Sequence, residues 1–150
     1  VQPAPDASES ARAISLALAN ARLSPDDLHY VNLHGTSTQL NDILETKALH
    51  LALGTAAQRI PMSATKSFIG RRQRAAVAAG IAATILAARA HFLHPTLTLH
   101  HPDPTCDLNY PPLTPPPLPS TKPHLHALCN CIAFGSKNSA TLPRIPLPSP

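Results

Sequence analysis

The 150-residue sequence predicts one α/β domain of layered helices and strands. Three observations carry that reading. Segments with helical spacing alternate with short apolar or alternating segments, in the order helix, strand, helix, strand, helix, strand, hairpin. The length is that of one ordinary domain and suffices to bury a core. No repeat with a period of about 20–50 residues divides the chain otherwise.

The first helix is expected over residues 8–22, where Ala11, Ile14, Leu18 and Ala21 share a face. "LSPDD" then turns the chain toward a short strand at 28–33, built on Leu28, Tyr30, Val31 and Leu33. A second helix over 39–53 has Leu40, Leu44, Lys47 and Leu51 on one side and stops at Gly54. "RIPMSATKS" gives a short extended segment and a polar loop. Residues 75–88, "AAVAAGIAATILAA", are uncharged and apolar around the whole circumference, which predicts a buried helix. They are too few to span a bilayer, which needs about 20 residues. "HPTLTLHHPDPTCDLNY" reads as a strand at 95–99 and a proline-punctuated loop, and "PPLTPPPLP" at 111–119 as an extended, exposed, polyproline-like run. "HALCNCIAF" at 126–134 is the final strand, and "GSKNSATL" turns back into another. The domain is drawn at residues 1–142, with 143–150 as a proline-rich tail.

Composition narrows the function classes. With three Phe, two Tyr and no Trp, the core must be made of Ala, Leu, Ile and Val. The net charge of +4 suits an acidic partner, but the basic residues form no long stripe, which argues against nucleic acid. Three cysteines, an odd number with no secretory signal, point to free thiols in a reducing, cytoplasmic compartment. The chain opens on "VQPAPDAS", without an initiator Met, and reads as the remainder of something longer.

His34 stands at the carboxyl end of the 28–33 strand, where open α/β sheets bind ligands. It is a candidate acid/base or a hydrogen-bond donor to a carbonyl; the alternative is a histidine simply satisfied at a strand end. Lys66 in "SATKS" is either a charge organiser in a cleft or a solvated loop residue. Glu45 could orient Lys66, or pair on the helix surface with Lys47 or its neighbours. His91, His94, His100 and His101, with Asp103 and Cys106, fit no standard zinc spacing, so no metal site is expected. Cys129 and Cys131 share a strand face and read as buried thiols. Arg71, Arg72 and Arg74 could meet a phosphate or an acidic carrier; as the first turn of a helix they would oppose its dipole.

In one order, "YVNLHGTSTQLNDILETKAL", "SATKSFIG", "PTLTLHHPDPTCDLNY" and "LCNCIAFGSKN" resemble the carboxyl-terminal half of β-ketoacyl-[acyl-carrier-protein] synthases of the elongating kind. The resemblance runs over about residues 8–142. It implies one half of a thiolase fold, with a mixed sheet and a buried Ala-rich helix. It also implies decarboxylative Claisen condensation in fatty acid or polyketide synthesis. No cofactor is expected, because substrates ride on the phosphopantetheine of an acyl carrier protein. The implied partners are that carrier and the amino-terminal half or a synthase subunit, in a dimer, with no nucleic acid and no membrane span.

By the resemblance, His34 is the first of two catalytic histidines, Lys66 the family's lysine and Glu45 its acidic partner. Phe134 matches the gating phenylalanine whose backbone N–H helps form the oxyanion hole, and Thr36 and Thr38 match threonines lining the pantetheine channel. The chain also departs from the pattern. The nucleophilic cysteine belongs to the amino-terminal half, and Cys106, Cys129 and Cys131 fall elsewhere. Arg71, placed here among the substrate-binding residues, stands where the second histidine follows "TKSFIG". Ala133, Ser136 and Lys137 replace Gly, Gly and Thr of the family's "GFGGTN". The expectation is a fragment or degenerate copy, inactive alone. A non-catalytic partner like a chain-length factor is the second reading, and a module using "PPLTPPPLP" as a polyproline ligand the third.

Overall fold

Tyr30–Asn32 (β1) is the strand around which the sheet is built. A computed structural model of the chain describes residues 6–70, 75–111, 113–114, 118, 123–133 and 137–148. Met62–Ser63 (β2) pairs parallel to one edge of β1, and His124–Ala133 (β3) pairs parallel to the other. Lys137–Thr141 (β4) returns antiparallel along β3, giving the order β2-β1-β3-β4. Arg144–Pro146 (β5) pairs antiparallel with the beginning of β3. The segment expected as a proline-rich tail from residue 143 therefore carries a strand; Ile145, 2% exposed, anchors it.

The helices are Ser8–Ala21 (α1), Gln39–Leu53 (α2), the single turn Lys66–Ile69 (α3) and Ala76–Arg89 (α4). Strand alternation divides β1 between two cores. Val31 and Leu33 pack with Ile14 and Leu18 of α1, Leu49 and Leu53 of α2, and Leu128 of β3. Tyr30 faces the other way, onto Ala88 of α4 with Leu125 and Ala127 of β3. The sheet is thus covered by α1 and α2 on one face and α4 on the other, the layered arrangement the element order predicts.

Three local expectations are corrected. In α2 the buried residues are Asn41, Leu44, Glu45, Thr46, Ala48, Leu49 and Leu53, while Leu40 and Leu51 are exposed. The leucine stripe misled because the face that packs inward also carries three polar residues. Residues 95–99 form no strand: Pro95 has no N–H for a ladder, Thr96 Oγ1 accepts the Ala64 N–H at 3.0 Å, and Ser67 Oγ accepts the Leu97 N–H at 2.9 Å. In α4, Gly80, Thr84, Ala87 and Ala88 are buried and Leu86 is 68% exposed, so this helix is covered along one face within the chain.

The buried face of α4 explains its one glycine. A Cβ at Gly80 would lie 2.8 Å from Asn32 Oδ1, so only glycine lets the helix approach β1 this closely. No described helix is long and apolar enough to cross a membrane.

Candidate active site

Beyond β1 the Leu33 N–H still bonds to the Ser63 carbonyl at 2.8 Å, and then the backbone leaves the sheet. Gly35 makes that departure possible. Its φ is +40°, and a Cβ there would sit 2.4 Å from the Ala64 Cβ. The turn presents two successive amides to Glu45, which rises from the buried face of α2 and is 3% exposed. Glu45 Oε1 accepts the His34 N–H at 2.7 Å and the Asn130 Nδ2–H at 2.7 Å; Oε2 accepts the Gly35 N–H at 2.9 Å. Burial pushes the Glu45 carboxyl up, against the pull of those three donors and of the Lys66 charge.

Lys66 opens α3, and its ammonium turns back over the same loop. Lys66 Nζ bonds to the His34 carbonyl and lies 3.4 Å from His34 Nδ1. An ammonium donates and cannot accept, so Nδ1 is the accepting nitrogen and the ring proton sits on Nε2. His34 thereby becomes a directed N–H donor. His34 and Lys66, both partly exposed, line a small cleft with Gly80, Cys129 and Cys131. On the far side of the loop is a cavity of about 330 Å³ lined in part by Thr36, Glu45, Lys66, Leu97 and Tyr110. The hydroxyls of Thr36 and Thr38 lie 2.8 Å apart at the rim of the turn.

The structure therefore brings His34, Glu45 and Lys66 into one corner, at the sheet end where the strand reading placed the first. Glu45 contacts the backbone of the His34 loop, and it feels Lys66 through its charge. Arg71 and Phe134 lie outside the described residues. Cys129 and Cys131 are poor nucleophiles as placed: burial raises the Cys129 thiol to about 11 and also raises Cys131. Among the described residues no group of three or more His, Cys, Asp or Glu is arranged to hold a metal ion.

Sequence reasoning missed two features. Asn130 reaches Glu45 from β3, a contact hidden by 85 residues of separation. His94, grouped in sequence with the exposed His100 and His101, is instead 7% exposed behind the active corner. Its ring lies 2.9 Å from Tyr30 OH, 3.2 Å from Asn32 Nδ2 and 3.1 Å from both Ser63 Oγ and Thr65 Oγ1. The usable signal was alternation: Tyr30 and Asn32 share one strand face, and Ser63 and Thr65 share another.

Residues 1–100 match the family described as Beta-ketoacyl synthase, C-terminal domain. A putative polyketide beta-ketoacyl synthase 1 of Streptomyces virginiae is 48% identical over 109 residues, 73% of this chain and 26% of that protein. The 3-oxoacyl-[acyl-carrier-protein] synthase 2 of Synechocystis sp. is 42% identical over 110 residues, again 73% and 26%. The chain spans about a quarter of the length of the curated relatives it matches. Among solved structures, a type II polyketide ketosynthase bound to the hexaketide, in complex with its acyl-carrier protein, superposes with a TM-score of 0.87 at 34% identity. That match covers 97% of this chain and 35% of that one. The ishigamide ketosynthase/chain length factor superposes with a TM-score of 0.79 at 29% identity, covering 93% and 33%. The α/β fold is the thiolase-like one of these ketosynthases. By its matched sequence, and with the His34 loop built as described, the chain belongs to the β-ketoacyl synthase family through its carboxyl-terminal domain.

Proposed function

We propose that this chain forms the histidine–lysine side of a β-ketoacyl-[acyl-carrier-protein] synthase site, serving decarboxylative condensation of carrier-bound substrates in fatty acid or polyketide synthesis. One observation carries the reading: Lys66 Nζ stands 3.4 Å from His34 Nδ1, which makes Nδ1 the acceptor and Nε2 the protonated, donating nitrogen of the ring. When malonyl thioester loses carbon dioxide, the electron pair of the breaking C–C bond moves into an enolate. A fixed N–H at the thioester oxygen stabilises charge where it develops, and that lowers the barrier. The carbanion then attacks the carbonyl carbon of an acyl thioester, the C–S bond breaks, and the thiolate that carried the acyl group leaves. The family places that thiol in its amino-terminal half, consistent with the raised thiols of Cys129 and Cys131.

The remaining assignments belong to the same reading. Thr36 and Thr38 line the path of the phosphopantetheine arm, Phe134 gates the acyl side, and an acyl carrier protein is the partner. The related ketosynthase solved with its carrier supports that choice. Phosphopantetheine arrives with the substrate, so no resident cofactor is required. The test is carbon dioxide release from malonyl carrier by this chain combined with an amino-terminal ketosynthase half. His34→Ala should lower the rate by about a hundredfold or more; an unchanged rate overturns the reading.

Arg71 favours a second reading, a non-catalytic partner like a chain-length factor. Arginine donates hydrogen bonds and accepts none, and it can hold the malonyl carboxylate in the ground state instead of letting it leave. Arg71→His should then raise carbon dioxide release in the combined protein. Equal rates for the two forms would make Arg71 a competent substitute.

A further inference from the structure

Asn130 lies in the middle of β3, between the ladders to β1 and β4, and is 6% exposed. Its Nδ2 donates to Glu45 Oε1 at 2.7 Å. A carboxylate only accepts, so the identity of the donating nitrogen is fixed by chemistry. Among the described residues its Oδ1 has no hydrogen-bond partner. A buried amide with half its capacity unmet is costly, and it is retained here for a single side-chain bond.

That bond ties a helix to the sheet at the point where a loop depends on both. Glu45 comes from α2, the loop amides of His34 and Gly35 follow β1, and Asn130 is held by β3. With Oε1 fixed from β3, the carboxylate plane is set, and each of its two oxygens faces one amide of the loop. A carboxylate free to rotate about its terminal torsion, which is broad and roughly two-fold, would satisfy the same amides only part of the time.

We infer that Asn130 is a positioning residue for His34, acting through Glu45 to fix the backbone on which the imidazole meets Lys66. The meaning of that position for catalysis rests on the ketosynthase reading; the position itself does not. Displacements of about 1 Å at a reacting group can cost about a hundredfold in rate, so a loop anchor of this kind has leverage.

The test is amide hydrogen exchange on the full chain, in unmodified form and as Asn130→Ala and Asn130→Asp. The reporters are the His34 and Gly35 amides; the controls are Val31 and Leu33, whose amides bond to Pro61 and Ser63 carbonyls. In Asn130→Ala, protection of His34 and Gly35 should fall by about tenfold or more at every pH, with the controls unmoved. Asn130→Asp has nearly the same shape but faces Glu45 with a second carboxyl. Its loop should be loosened where both are ionised and regain protection as pH falls and one shared proton bridges them. A purely space-filling role would not produce that pH dependence. The inference is overturned if Asn130→Asp matches the unmodified chain at every pH, or if both variants loosen the controls equally. Should neither variant fold, the unmodified chain decides. Its Asn130 side-chain amide proton should shift as Glu45 titrates, and a stationary signal overturns the inference. None of these readouts uses catalysis, so an inactive combined protein would fail the ketosynthase reading alone.

Discussion

Two polar clusters occupy the carboxyl ends of β1 and β2, and they are wired in opposite ways. Behind the sheet, Tyr30, Asn32, Ser63, Thr65 and His94 are all buried and bond to one another. The Ser63 hydroxyl donates to the His94 carbonyl at 2.6 Å, and Asn32 Nδ2 donates to Thr65 Oγ1 at 2.6 Å, so the cluster closes on itself. In front, only Glu45 and Asn130 are buried; His34 and Lys66 carry the network out to a partly open cleft. A closed network fixes shape, its side chains bonded to one another. The open one spends its buried carboxylate on two backbone amides and the Asn130 amide, and it holds an imidazole and an ammonium at the edge of the cleft. Local chemistry, more than burial, separates scaffold from site.

The comparison breaks most sharply at Glu45. Glu45→Ala leaves three buried donors, two backbone amides and the Asn130 amide, without their acceptor. The expected loss is about 3 kcal/mol or more in urea denaturation, since each orphaned buried donor costs about 1–3 kcal/mol. A loss below about 1 kcal/mol would mean the front cluster contributes no more than a surface contact. Next in size is Gly80→Ala, which drives a methyl to 2.8 Å from Asn32 Oδ1 and so presses on the closed cluster. Alanine should favour the helix by up to about 1 kcal/mol, yet overpacking of about 1–3 kcal/mol should win. A more stable variant would show that α4 yields freely. Tyr30→Phe comes third. It removes a hydroxyl 2.6 Å from Ser63 Oγ and 2.9 Å from His94, with a loss of about 1 kcal/mol by the same measurement.

Much of the fold was legible in the sequence, and the reason differs by element. α1 and α2 followed from spacing, because about four turns give the period room to show, and α4 followed from an unbroken uncharged, apolar run. β5 did not: it has three residues, with Pro143 just before it and Pro146 as its last, and one inward side chain, Ile145, too little for a period to register. His34 and Lys66 were found as residues because each follows a short extended run that ends in a polar turn. Their meeting, and Glu45's choice of backbone amides over a lysine partner, depend on how α2 is rotated about its axis. That rotation is set by Leu44, Ala48 and Leu49 packing inward, against the exposed leucines that dominated the linear pattern. Asn130 was invisible for a plainer reason: an Asn between two cysteines in an apolar strand carries no mark of what it will face.

The smallest effect sharpens the contrast through pH, because acid acts on the two clusters with opposite signs. His94 Nδ1 lies 3.3 Å from the Pro95 carbonyl, which can only accept, so Nδ1 carries the proton. Nε2 then accepts, and it faces the Asn32 amide nitrogen at 3.2 Å. Protonating Nε2 would set donor against donor, and burial already holds His94 below its ordinary 6.5. The stability that neutral His94 supplies is full above pH 6.5 and is lost as pH falls through the lower folded value. Glu45 behaves in reverse. Burial holds it above 4.5, so its contribution is full below that pH and is lost as pH rises through the folded value. One proton changes stability by at most about 1.4 kcal/mol per pH unit, so each slope is modest. Unfolding free energies should therefore be compared between pH 4.5 and 7 for the unmodified chain, His94→Gln and Glu45→Gln. The advantage of the unmodified chain over His94→Gln should shrink with acid, and its advantage over Glu45→Gln should grow. Parallel slopes would mean that the front carboxyl is not held up by burial, and that both clusters are tuned by the same means.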